Sequence, residues 1–106
     1  MLKYDYDKAL HTVTCRYHDR LDTVVSNELF PIVTGVIVSH MEFQADRKLT
    51  IVFDFEKVEF VTSAFIRLCI TIAKKVGENN FSIIKSNPLI KKTFKIAGLD
   101  EQLNMD

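Results

Sequence analysis

Two adjacent hydroxyl residues, Thr62 and Ser63, stand where an apolar stretch gives way to a run with helical spacing, in Phe60-Val61-Thr62-Ser63-Ala64-Phe65-Ile66. Hydroxyls at such a junction have two chemistries open to them. They can cap, accepting from a free backbone N–H at the helix start and adding roughly 1 kcal/mol of stability. They can also carry phosphate, which meets free amides and the positive end of the helix dipole there. Spacing alone favours capping.

Other candidates are weaker. His11, His18 and His40 show no HxxxH or His-x-Cys grouping, whereas zinc needs three or four converging ligands, so they read as surface or partly buried polar residues. Cys15 and Cys69 lie outside any metal or CxxC spacing, and a thiol on an apolar helix face behaves as a small hydrophobe. The chain has no nucleophile elbow and no glycine-rich phosphate loop. Carboxylates are scattered, although Asp22 and Asp54 fall near expected strand ends, where open α/β sheets build sites. Lys91, Lys92 and Lys95 occupy the outer face of a C-terminal helix, as a solvated face would. This is not the pattern of an enzyme, and neither metal nor cofactor is expected.

Charge narrows the partners. Lys plus Arg and Asp plus Glu number 14 each, for a formal charge of zero. A nucleic-acid binder would carry a basic excess, because phosphate contacts supply most of its affinity, and an acidic membrane surface is disfavoured for the same reason. No stretch approaches the roughly 18 apolar residues of a membrane span. No signal-like apolar run follows Met1-Leu2-Lys3-Tyr4-Asp5. With two isolated cysteines, the expectation is a cytoplasmic protein. The 106 residues suit one domain spanning 1–106, and 47% hydrophobic content with 3 Gly and 2 Pro argues against disorder or a turn-rich sandwich.

The elements that must hold these residues follow from periodicity. Leu2, Tyr4 and Tyr6 alternate with polar residues, as do His11, Val13, Cys15 and Tyr17, which predicts an opening antiparallel hairpin. From Thr23, with Asp22 or Thr23 as cap, Val25, Leu29, Ile32, Val33 and Val36 trace a helix that contains Pro31. Residues 41–48 read as a connection. Leu49 to Phe55 reads as a central strand buried on both faces. A second helix runs from Phe65 to Val76 and ends near Gly77. Phe81 to Ile84 forms another strand. Asn87-Pro88 opens a third helix with Ile90, Phe94 and Ala97 inward, and the tail from Leu99 has no assigned element. The result is an α/β fold: a mixed, mostly parallel sheet of four to five strands with crossover helices.

In order and spacing, these segments resemble the STAS domains of bacterial anti-sigma factor antagonists. Thr50 to Ser63 is similar to that family's central strand and switch loop: an apolar strand ending in Asp, a Val-x-Phe segment, then Asp-Ser-Ser/Thr-Gly-Leu. Arg20-Leu21-Asp22-Thr23 resembles its Gly-x-Leu-Asp before the first helix, and Asn87-Pro88 to Gly98-Leu99-Asp100 its closing helix. The resemblance covers nearly the whole chain. It implies a protein-interaction switch that binds a GHKL-type serine/threonine kinase acting as anti-sigma factor. Phosphorylation of the loop serine turns the switch off, and a phosphatase reverses it. The acceptor position falls on Ser63, and the docking face on Asp22, Thr62, Ser63, Ala64 and Phe65. Where the family has Asp, Ser/Thr and Gly, this chain has Thr62, Ala64 and Phe65, and Asp19 replaces a glycine. Two alternatives stand beside the switch. One is a phosphorylation-independent scaffold. The other is a small-ligand or nucleotide module using Asp22, Asp54 and the Thr62-Ser63 helix start.

Overall fold

The computed structural model describes residues 2–106. Alternating β1 (Leu2–Asp7) and β2 (Thr12–Leu21) pair antiparallel, with Tyr4 opposite Cys15. Helix α1 (Thr23–Glu42) crosses to β3 (Thr50–Val61), and α2 (Ser63–Val76) with a short 3-10 turn (Glu78–Asn80) leads to β4 (Phe81–Ile84). Helix α3 (Pro88–Ile96) follows, and the strand order is β1-β2-β3-β4 with both later pairs parallel. The tail gains a place: Met105 bridges Ile83 at the outer edge of β4. The expected mixed sheet with crossover helices is what forms.

Alternation along the strands sends Val13, Cys15 and Tyr17 from β2 and Ile51, Phe53 and Phe55 from β3 into the core. There, Tyr17 meets the rings of Phe53 and Phe65, each at 5.0 Å and edge-on, and Phe81 sits 4.9 Å from Phe53. Such edge-to-face arrays add to area burial because ring edges and faces carry opposite partial charge. The central strand is covered less completely than expected, since Val52 stays half-buried. It is also longer, reaching Val61 rather than Phe55, because two irregularities in its pairing with β2 break the alternation without ending the strand.

Helix α1 departs further from expectation. Its buried residues are Ser26, Leu29, Val33 and Ile37, whereas Ile32 is 54% exposed. The helix is apolar nearly all round, so its periodicity does not single out one face. It is long and apolar enough, by length and composition, to cross a membrane, contrary to the expectation that no stretch is. Ala97, expected inward on α3, is exposed, and Ile90 and Phe94 alone fill that stripe.

Candidate functional site

The parallel strands β2 and β3 run side by side to their ends, where Leu21 pairs with Val61. That pairing sets the residues after each strand next to one another. The Thr62 N–H donates to the Leu21 carbonyl at 3.1 Å, and the Thr62 hydroxyl donates to the same oxygen at 3.2 Å. Helix α1 therefore starts beside α2. Helix α3 joins them through Asn87, whose amide donates to the Val58 and Glu59 carbonyls at 3.2 and 3.1 Å. Three helix N-termini thus gather at one end of the sheet, where open α/β folds place their sites.

The three starts differ in how their free amides are met. On α1 the Asp22 carboxylate accepts from Val25 N–H at 2.9 Å. On α3 the Asn87 side chain accepts from Ile90 N–H at 2.8 Å. On α2 the N-cap residue is Thr62, and its side chain caps nothing. The capping role favoured by spacing is therefore corrected: the Thr62 hydroxyl is turned to the neighbouring strand end. The Phe65 and Ile66 N–H groups reach the Thr62 carbonyl at 3.0 and 3.1 Å. Among the described residues, the N–H groups of Ser63 and Ala64 have no acceptor. Ser63 is exposed, while Asp22, Thr62 and Ala64 are half-buried around it. An exposed hydroxyl beside two free amides and a helix dipole can accept an added anion without rearrangement.

Two candidates are not at this site. Phe65, expected on the docking face, is fully buried against Tyr17, Phe53 and Phe55. It belongs to the core. Asp54, expected near a strand end, lies mid-strand on β3, eight residues and about 25 Å of extended chain before Thr62. Asp54 is buried, and its carboxylate accepts from Glu56 N–H at 2.9 Å and faces Arg16 Nε at 3.8 Å. It borders a cleft of about 160 Å³ together with Lys3, Arg16, His18 and Lys57. Asp54 therefore stands apart from Asp22, Thr62 and Ser63, and the small-ligand reading keeps only the helix start.

Sequence reasoning missed two contributors to the site's shape. Asp19 has φ +65°, in the left-handed region, which accounts for a glycine being suited to that position. Arg20 lies over the Phe60 ring at 4.3 Å, pairing the two strands just before the site. The pairing was not legible, although the glycine replaced at Asp19 was a signal for the irregular strand pairing there. Burial pushes the Cys15 thiol up to about 12 and Cys69 well above its ordinary value, so neither is a ready nucleophile.

No family model and no curated protein matches the chain in sequence. Solved structures do match it in shape. An anti-sigma factor antagonist from Mycobacterium paratuberculosis aligns with a TM-score of 0.79 at 16% identity, over 99% of this chain and 83% of that one. An anti-sigma-factor antagonist (STAS) domain protein from Planctomyces limnophilus aligns at 0.78 and 17%, over 99% and 87%. The Bacillus cell fate determinant SpoIIAA in its phosphorylated form aligns at 0.64 and 19%, over 100% and 89%.

Proposed function

We propose that this chain, which has the STAS fold of the anti-sigma factor antagonists, is a non-catalytic interaction switch of that kind. Its partner is a GHKL-type serine/threonine kinase acting as anti-sigma factor, in the cytoplasm. It docks through the α2 start, with Ser63 at the centre and Asp22, Thr62 and Ala64 around it. The kinase phosphorylates Ser63 and a phosphatase removes the mark. The observation that carries this reading is the uncapped start of α2, where Ser63 is exposed and two amides are free. Phosphate on Ser63 adds roughly 1.5–2 negative charges. The helix start tolerates that charge, whereas a partner surface that had desolvated a neutral hydroxyl loses several kcal/mol by burying it unpaired.

The test is the intact mass of the protein isolated from its own organism, with the captured partners identified alongside. The expected result is a fraction heavier by one phosphate, mapped to Ser63, and a kinase of this type in the capture. A captured partner with no phosphate under any growth condition supports the scaffold reading instead.

A further inference from the structure

The sheet has one covered edge and one open edge. Beyond β4 the tail closes the strand: Met105 bridges Ile83, and the Asp106 N–H donates to the Ile83 carbonyl at 3.2 Å. The Lys85 N–H donates to the Asp106 carboxylate at 3.2 Å as well. Beyond β1 no strand pairs among the described residues. An edge strand leaves a row of N–H and C=O groups unpaired, and proline or a bulge commonly blunts it. Here β1 has neither: it reads Leu2-Lys3-Tyr4-Asp5-Tyr6-Asp7, in unbroken register with β2. Lys3, Tyr4 and Asp5 are exposed. On the helix side of this edge, Tyr4 is 47% and Ile32 of α1 54% exposed. Both line a groove of about 370 Å³ with Leu2, Val25, Glu28 and Leu29.

We propose that this edge pairs with the same edge of a second copy, antiparallel about a two-fold axis, so that one sheet runs through both. The charges of β1 specify the register. Directly opposed residues of an antiparallel pair exchange their hydrogen bonds, and the groups on a free edge belong to alternate residues. A two-fold pair therefore centres on one residue opposite its own copy. Centred on Lys3, Asp5 or Asp7, it opposes that charge to itself, which destabilises. Centred on Tyr6 it opposes Asp5 to Asp7, and centred on Leu2 it leaves most of the strand unpaired. Centred on Tyr4, it sets Lys3 of each copy against Asp5 of the other, Leu2 against Tyr6, and Tyr4 against its own copy. The edge charges that deter other registers thus favour this one. Among the described residues Lys3 has no ion-pair partner within the chain, while Asp5 pairs with Arg16, so the dimer gives Asp5 a second cation. Opposed side chains share a face, so each Tyr4 ring comes to the groove of the other copy and adds apolar contact that two strands alone lack. The net charge of zero leaves no long-range repulsion between copies. This inference uses neither Ser63 nor the proposed switch.

The test is sedimentation velocity over a concentration series for the wild type, Lys3→Asp and the double variant Lys3→Asp with Asp5→Lys, their folding checked by circular dichroism. Both positions are exposed, so the variants should fold. The wild type should pass from monomer to dimer and stop there, because the dimer uses the open edge of both copies. Lys3→Asp turns both opposite-charge pairs into like-charge pairs and should dimerise at least about tenfold more weakly, or 1.4 kcal/mol. The double variant restores opposite charges in the same register and should dimerise as the wild type does. A second measurement reads the centre of the pair: a short bismaleimide should link Tyr4→Cys into a covalent dimer, since the native Cys15 and Cys69 are buried. A wild type that stays monomeric at its solubility limit overturns the proposal and leaves the edge to a strand of another protein. A folded Lys3→Asp that dimerises like the wild type also overturns it, as does a Tyr4→Cys variant that sediments as a dimer but is not linked.

Discussion

At the residue scale, Asp19 and His11 occupy environments that contradict their type. Asp19 holds a left-handed φ that costs an ordinary L-residue about 1–2 kcal/mol. Its carboxylate lies 2.9 Å from His18 Nδ1. Asp19→Gly should leave stability within about 1 kcal/mol of wild type, whereas Asp19→Val should lower it by about 1–3 kcal/mol, both read from urea midpoints. Equal midpoints for the two variants would mean that backbone strain at this strand irregularity is not the controlling factor. His11 is a second such position. It is fully buried, its Nδ1 is 2.7 Å from the Tyr6 hydroxyl, and its Nε2 has no partner. Burial, reinforced by the charges of Arg47 and His40 against a smaller pull from Asp46, holds its pKa below the ordinary 6.5. The unfolded chain therefore takes up this proton at a higher pH than the folded one. Stability from this group is full above pH 6.5 and is lost as pH falls below it. Urea midpoints should fall from pH 7.5 to about pH 5.5, and His11→Gln should flatten that fall. An unchanged slope in the variant would place the acid sensitivity elsewhere.

At the element scale, strands were more legible in the sequence than helix faces. Strands β2 and β4 follow their alternation, whereas in β1 Tyr4 is exposed, and α3 is announced by Asn87-Pro88, a cap and a first-turn proline. Helix α1 was legible as a helix but not in its orientation. Ile32 and Ile37 are alike in type, and only the packed structure distinguishes the one 54% exposed from the one fully buried. Ile37→Ala should cost about 2–5 kcal/mol by leaving a cavity, and Ile32→Ala less than about 1 kcal/mol. Thermal or urea unfolding of the pair checks the orientation, and similar losses at both sites would show that the helix is rotated. Strand β3 was read too short because Glu56 and Lys57 interrupt its apolar run. The sequence carries no mark of the irregular pairing with β2 that lets the strand continue to Val61. That misreading also moved Asp54 to a strand end it does not occupy.

At the scale of the whole molecule, the site is a product of topology. Two parallel strands ending together bring Asp22 and Thr62 side by side across forty residues of chain. Ser63 was legible as a candidate because hydroxyls at a helix start are recognisable in sequence. That α2 alone among the three helices lacks a side-chain cap was not, because it depends on where the Thr62 hydroxyl turns. Phe65 was misjudged for a related reason: close in sequence to the proposed docking residue Ser63, it points into the core on the helix's other side. The central claim is that a negative charge on Ser63 is neutral to the fold and hostile to the partner. The most direct measurement compares wild type, Ser63→Ala and Ser63→Asp for affinity to the captured partner and for urea stability. Ser63→Asp should keep stability within about 1 kcal/mol of wild type, because the helix dipole favours the carboxylate. It should bind at least about tenfold more weakly, or 1.4 kcal/mol, while Ser63→Ala still binds. Equal affinity of wild type and Ser63→Asp would contradict the account.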